Sequence, residues 1–102
     1  MSAIVTDDRD EDWYTNGRGW SIITERVMKD LDPAQVETFE TYASTIGLNF
    51  GRIEQPTRGE VARWVLRAVE TLAGPEAAEH GWDTDNSRNH LGELVVMLRA
   101  MA

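Results

Sequence analysis

Apolar side chains recur every three or four residues in four segments of this chain of 102 residues. This spacing places them on one face of an amphipathic helix. Their positions are Trp20, Ile23, Val27 and Leu31; Val36, Phe39, Ala43 and Ile46; Val61, Trp64, Val65, Ala68, Val69 and Leu72; and Leu91, Leu94, Val95, Leu98 and Met101. Four such helices joined by short connections predict an all-α fold, a small helical bundle.

Residues that begin and end helices mark several of these segments. Asp32 followed by Pro33 predicts an N-cap with proline at the first helical position. Gly47 predicts a left-handed end for the same helix. Thr57 with Glu60 three residues later predicts a capping box, in which each side chain bonds the other's backbone N–H.

The N-terminal residues differ from the rest in charge. The run Asp7-Asp8-Arg9-Asp10-Glu11-Asp12 is acidic at every position except Arg9. Asn16-Gly17 follows it and is a strong turn signal, because both residues tolerate a positive φ. We therefore divide the chain into an acidic N-terminal arm with its Asn-Gly turn, residues 1–18, and a single helical domain, residues 19–102. We expect residues 1–12 to be mobile.

Composition excludes several classes of protein. The chain has 18 acidic and 10 basic residues, a formal charge of −8, and no cysteine, so disulfides and thiolate metal sites are excluded. The longest apolar run, Leu94–Leu98, is far shorter than the roughly 18 residues of a membrane span. A secretory signal would need basic residues where the acidic run stands. These features predict a cytoplasmic protein without membrane association.

Two stretches of polar residues invite a metal site. The segment 83–87 has oxygen ligands at the first, third and fifth positions of a calcium loop, but Arg88 stands where the loop needs glycine and Leu94 where it needs glutamate. His80 and His90 bracket the acids of this segment, yet they lack the close ligand pairing of zinc sites. We predict no metal and no cofactor.

No motif for catalysis stands out. Gly17-x-Gly19 lacks the third glycine of a dinucleotide-binding loop, and no strand is predicted before it. The chain has no Gly-x-Ser-x-Gly elbow, and its two histidines form no recognisable triad with the scattered serines. We therefore predict that the protein is not an enzyme.

Three aromatic residues lie in polar, irregular stretches. Trp13, Tyr14 and Trp82 suit an interface, since such side chains bury a large area and keep a polar group. They could equally cover an open end of the bundle. Trp20 and Trp64, in contrast, belong to apolar helix faces and are predicted to lie in the core.

Residues 31–47 and 56–72 resemble the helix pair of the ribbon–helix–helix regulators. The stretches that carry the resemblance are Leu31-Asp32-Pro33-Ala34-Gln35 and Pro56-Thr57-Arg58-Gly59-Glu60-Val61-Ala62-Arg63-Trp64-Val65-Leu66-Arg67. The resemblance implies that the segment ending at Leu31 is a strand, which pairs with its copy in a homodimer and reads the DNA major groove. It implies that the DNA-binding residues are Arg26 and Met28, with Asp30 beside them, and Thr57 and Arg58 at a phosphate.

The charge and the absence of catalytic motifs favour a protein-binding function. We expect a small acidic module that inhibits or neutralises a basic partner, such as a nucleic-acid-processing protein, in the manner of an immunity protein, an antitoxin or a phage-encoded inhibitor. Its candidate contact residues are Asp7, Asp8, Asp10, Glu11, Asp12, Trp13, Tyr14 and Trp82. The alternative function is a dimeric ribbon–helix–helix DNA-binding regulator or antitoxin, and the acidic surface could also serve solubility alone.

Overall fold

The computed structural model describes the whole chain, residues 1–102, and contains both helices and a sheet. The helices are α1 (Gly17–Lys29), α2 (Pro33–Tyr42), α3 (Thr57–Ala73) and α4 (Asp85–Met101). The strands are β1 (Ser2–Thr6), β2 (Asp12–Asn16), β3 (Ala43–Ser44) and β4 (Gly47–Asn49), and short 3₁₀ turns cover Phe50–Arg52 and Ala77–His80. The fold is therefore mixed α and β, and the prediction of an all-α helical bundle is wrong.

The sheet has the strand order β2-β1-β4-β3, so the N-terminal strand lies inside it. β1 pairs antiparallel with β2, where Ile4 stands opposite Tyr14, and parallel with β4, where Val5 stands opposite Leu48. The expectation of a mobile arm over residues 1–12 is wrong, because this segment forms an interior strand and the loop after it. α1 begins at Gly17, so it also crosses the predicted boundary at residue 18.

Buried and exposed side chains alternate along β1, so one face of the sheet contributes to the core and the other does not. Ala3 and Val5 are fully buried, whereas Ile4 between them is 39% exposed. α1 packs against β1 and β2, and α3 packs against both α1 and α4. The helices thus cover one face of the sheet and leave the Ile4 face open.

The predicted apolar helix faces supply most of the core. Every apolar position predicted for α4 except Val95 is buried, and in α3 only Trp64 of the predicted face is half-buried, packed on the edge of the core. Trp20 is buried, as predicted, and its indole Nε1 donates to the Ser44 carbonyl oxygen at 2.7 Å. This bond ties α1 to β3.

The helix ends agree with the sequence signals only in part. The Asp32 carboxylate accepts the Gln35 N–H at 2.8 Å and the Gln35 amide oxygen accepts the Asp32 N–H at 3.0 Å, which confirms the N-cap. The capping box predicted for Thr57 and Glu60 is wrong. Thr57 is already inside α3, and the residue before it, Pro56, caps the helix without a side-chain hydrogen bond.

The Asn16-Gly17 pair joins a strand directly to a helix instead of forming a separate turn. The Asn16 side chain accepts the Gly19 N–H at 2.6 Å and so acts as the N-cap of α1. Gly17-x-Gly19 therefore does follow a strand, contrary to the sequence-based expectation.

Gly47 has a different function from the helix cap predicted for it. α2 ends at Tyr42, and the chain then forms β3 and β4, so the helix predicted up to Ile46 is four residues shorter. Gly47 has a φ of +134°, and a Cβ placed there would lie 1.9 Å from the Ile4 carbonyl oxygen. Only glycine lets β4 approach β1 this closely.

Replacing Gly47 with alanine is expected to destabilise the protein by about 3 kcal/mol or more, because the new methyl group adds a backbone clash to the strain of a positive φ. The control is Gly92→Ala in α4, where a Cβ would meet no atom within 4 Å. That substitution should stabilise the helix by about 0.5–1 kcal/mol. Urea unfolding of both variants measures the difference, and equal stabilities would contradict the β1–β4 pairing.

Candidate functional site

The acidic run forms the loop between β1 and β2, and Asp7 holds that loop together. Asp7 is 9% exposed, and its Oδ1 accepts the backbone N–H of Arg9 at 2.8 Å and of Glu11 at 2.9 Å. Its own N–H donates to the Glu11 carbonyl at 3.0 Å. Asp7 therefore stabilises the loop and does not face a partner, contrary to its place among the candidate contacts.

The other acidic residues of the run differ in the contacts that their carboxylates make within the protein. Asp12 accepts hydrogen bonds from the Thr6 hydroxyl at 2.7 Å and from the Tyr14 hydroxyl at 3.1 Å. Asp8 lies 3.7 Å from the Arg58 guanidinium. Asp10 and Glu11 are exposed and take part in no ion pair. We call residues 8–11 the acidic loop.

The Tyr14 phenol is oriented by its neighbour. The hydrogen bond to the Asp12 carboxylate raises the pKa of Tyr14 above its ordinary value of 10.0, and the negative charge of Asp12 acts in the same direction. Tyr14 is 56% exposed, so the ring remains accessible while its hydroxyl is held. This placement agrees with its expected position on the surface.

Four large apolar side chains lie on the side of the sheet that the helices leave uncovered, two of them on β1 and β2, one at the end of α2 and one in the turn between β3 and β4. They are Ile4, Tyr14, Tyr42 and Ile46, with exposed fractions of 39%, 56%, 37% and 65%. Ile4 pairs with Tyr14 across the strands, and its N–H donates to the Ile46 carbonyl at 3.0 Å. We call these four residues the open sheet face.

A shallow depression of about 460 Å³ lies on this side of the sheet. Ile4, Tyr42 and Ile46 line it together with Asp12 and Arg52. The open sheet face is thus continuous with β2, which leads directly to the acidic loop. The apolar surface and the acidic loop that precedes β2 form one candidate binding surface.

The two tryptophans expected at the interface point elsewhere. Trp13 is 4% exposed, its Nε1 donates to the His90 carbonyl at 2.9 Å, and its ring stacks on the His90 imidazole with centroids 4.5 Å apart. Trp82 is half-buried against the core, 5.7 Å from the His80 ring. Both line a cleft on the opposite side of β2 from Tyr14.

The residues that the ribbon–helix–helix resemblance assigns to DNA binding are engaged within the protein. Arg26 bonds the Asp30 carboxylate at 2.8 Å and the Glu76 carboxylate at 3.0 Å, and the hydrogen bond to Asp30 is the main cause that raises the pKa of Arg26. Met28 packs against the core. Both lie on α1, so the strand implied for the segment ending at Leu31 is a helix over most of its length.

The second pair assigned to DNA lies at the start of α3. Thr57 is half-buried there, and Arg58 donates its Nε–H to the carbonyls of Ile53 at 2.9 Å and Phe50 at 3.2 Å. These bonds, with the nearby Asp8 carboxylate, tie the loop before α3 to the acidic loop. Arg58 is therefore a structural residue in this fold.

No three histidine, aspartate or glutamate side chains lie close enough together to hold a metal ion. No helix is long and apolar enough to cross a membrane. Comparison with known proteins finds no family model, no curated protein and no solved structure that matches the chain.

Sequence reasoning missed three of the four residues of the open sheet face. The sequence pattern extends the helix of Tyr42 to Ile46, which lies in a turn, and it places Ile4 in a mobile arm, whereas Ile4 lies in β1. The apolar side chains at these positions form one surface only when the strands are paired. The alternation Ala3, Ile4, Val5 was the one local signal, and it is too short to define a strand by itself.

Replacing Asp7 with alanine is expected to lower the free energy of unfolding by about 2–3 kcal/mol, because two backbone N–H groups of the loop lose a charged acceptor. The control is Asp10→Asn. Asp10 has a φ of 63°, a conformation that asparagine also tolerates, so this change should stay within about 0.5 kcal/mol. Denaturant unfolding tests both, and equal effects would show that Asp7 does not organise the loop.

Proposed function

We propose that the protein is a binding module that attaches to a basic protein partner through the open sheet face and the acidic loop. The observation that carries this proposal is the grouping of Ile4, Tyr14, Tyr42 and Ile46 on the uncovered side of the sheet, whose strand β2 follows the acidic loop. Single exposed apolar residues are ordinary, but a contiguous group rimmed by polar residues is typical of an interaction site.

The apolar part of the surface would supply most of the affinity. Covering a fully exposed isoleucine or tyrosine-sized side chain stabilises a complex by roughly 1.5–3 kcal/mol. Tyr14 suits the centre of such a contact, because its hydroxyl is already bonded to Asp12 and needs no new partner when the ring is covered.

The charge would select the partner and increase the rate of association. The chain carries a formal charge of −8, and Asp10 and Glu11 take part in no ion pair within the protein. Carboxylates at the edge of an interface attract a positive surface and make the association rate depend on salt. Proteins that process nucleic acids have such surfaces, because phosphate binding needs clustered lysine and arginine.

The module would act by occupying the partner's functional surface, as an inhibitor or neutraliser of the immunity-protein or antitoxin type, in the cytoplasm and without chemistry of its own. The DNA-binding alternative has less support, because Arg26 and Arg58 already bond carboxylates and backbone carbonyls of the protein itself.

The test is affinity capture from a lysate of the source organism, followed by mass spectrometry and by surface plasmon resonance with the purified partner. We expect the captured protein to be basic. Ile46→Ser should weaken its binding about fivefold or more, because covering the 65% of this side chain that is exposed contributes about 1–2 kcal/mol. Asp10→Asn combined with Glu11→Gln should slow association at low salt more than at high salt.

Matched controls separate this surface from general charge and hydrophobicity. Val96 is 70% exposed on α4, so Val96→Ser removes an equally exposed apolar side chain at another place. Glu25→Gln with Glu93→Gln removes the same charge from α1 and α4. If the controls weaken binding as much as the surface variants do, or if only acidic proteins are captured, the proposal is wrong.

A further inference from the structure

A second surface lies on the other side of β2, where the start of α1 meets the loop before α4. It is a cleft of about 380 Å³, within the range of roughly 300–1,000 Å³ found for small-molecule sites. Inward-facing residues of β2, including Trp13, form one wall, and α1 and α4 form the others. Its polar and aromatic lining includes Arg18, Trp82, Ser87, His80 and His90.

The charge of the cleft is opposite to that of the whole protein. Although the chain has 18 acidic residues, none lines the cleft. Arg18 is exposed there and takes part in no ion pair, and both histidines of the chain are at the same site. The N-terminus of α1, the positive end of its dipole, also lies there, because Asn16 and Gly19 line the cleft. These groups together favour an anion.

The aromatic groups of the cleft favour a planar ligand. The His90 ring is stacked on Trp13 at an interplanar angle of 23°, and Trp13 is fixed by its hydrogen bond to the His90 carbonyl. Trp82 is half-buried beside His80, so one part of its indole remains accessible from the cleft. Stacking of a base on such a ring contributes about 1–3 kcal/mol.

From these observations we propose that the cleft binds a small molecule with one planar aromatic ring system and one phosphate group, the chemistry of a mononucleotide. The base lies against Trp82, and the phosphate lies at Arg18, where the positive end of the α1 dipole adds to the attraction. The hydroxyl of Ser87 supplies a further polar contact. The limited volume and the acidic remainder of the surface oppose a polynucleotide. This proposal does not depend on the partner-binding surface, which lies on the opposite face of β2.

The test is isothermal titration of the full chain with adenosine monophosphate, and with the monophosphates of guanosine, cytidine and uridine. Adenosine and ribose 5-phosphate serve as fragments that lack the phosphate or the base. We expect at least one mononucleotide to bind saturably, and each fragment to bind at least about tenfold more weakly, because each loses one of the two contacts.

Variants locate the site. Arg18→Gln should weaken mononucleotide binding about tenfold or more, because it removes a charged hydrogen-bond donor from the exposed side of the cleft without affecting the core. Trp82→Ala should weaken binding of the mononucleotide but leave that of ribose 5-phosphate unchanged. The control is Arg67→Gln, an exposed arginine on α3 that does not line the cleft and that should leave all affinities as they are.

Three results would overturn the proposal: no saturable binding of any mononucleotide, equal affinity in the Arg18→Gln variant, or ribose 5-phosphate binding as tightly as the mononucleotide. Thermal melting of each variant shows that it is folded. Because Trp82 packs on the core, Arg18→Gln remains decisive if the Trp82 variant does not fold. If the open sheet face captures no partner protein, the mononucleotide titration remains valid, because it tests a different surface.

Discussion

The pairing of β1 with β4 is the contact on which the architecture depends. It joins the first residues of the chain to a segment after α2, and the Ile4 N–H donates to the Ile46 carbonyl at 3.0 Å. Parallel strands need a long connection, which here contains β2, α1, α2 and β3. Because Gly47 has no side chain, the two backbones can approach closely enough for the sheet to form.

Because β1 lies inside the sheet, its neighbour β2 has one face toward the helices and one face away from them. Successive residues of β2 therefore belong to two different surfaces. Trp13 points toward the helices and forms part of the cleft, whereas Tyr14 points away and forms part of the open sheet face. The two surfaces also differ in charge, since one adjoins free carboxylates and the other has Arg18 and two imidazoles. A strand of five residues thus contributes to the proposed surface for a basic protein and to the separate cleft proposed for a small anion.

The sequence was informative where the relevant interactions are local. The apolar spacing of α3 and α4 and the N-cap at Asp32 depend on residues within a few positions of one another. β1 and β4 depend on pairing between distant segments, and each is too short to show a strand pattern. The segment 43–46 continues the helical spacing of α2, but Ala43 and Ser44 pair with β4 and residues 45–46 form the turn between the two strands.

The residues of the candidate site divide in the same way, into those that local sequence indicates and those whose position depends on contacts with distant segments. Tyr14 and the exposed acids could be named from the sequence, because aromatic and charged residues in a polar stretch indicate a surface. Asp7 and Trp13 could not be separated from them, since their burial arises from the loop geometry and from contact with α4. Ile4 became part of a surface only through its position in the sheet.

Amide hydrogen exchange of the free protein, followed residue by residue by NMR, tests the central position of β1 most directly. The structure predicts that the Ile4 amide exchanges nearly as slowly as that of Val65 in the middle of α3, and far more slowly than that of Asp10 in the acidic loop. If the Ile4 amide exchanges as rapidly as the Asp10 amide, the N-terminal segment is not part of the sheet, and neither surface exists as described.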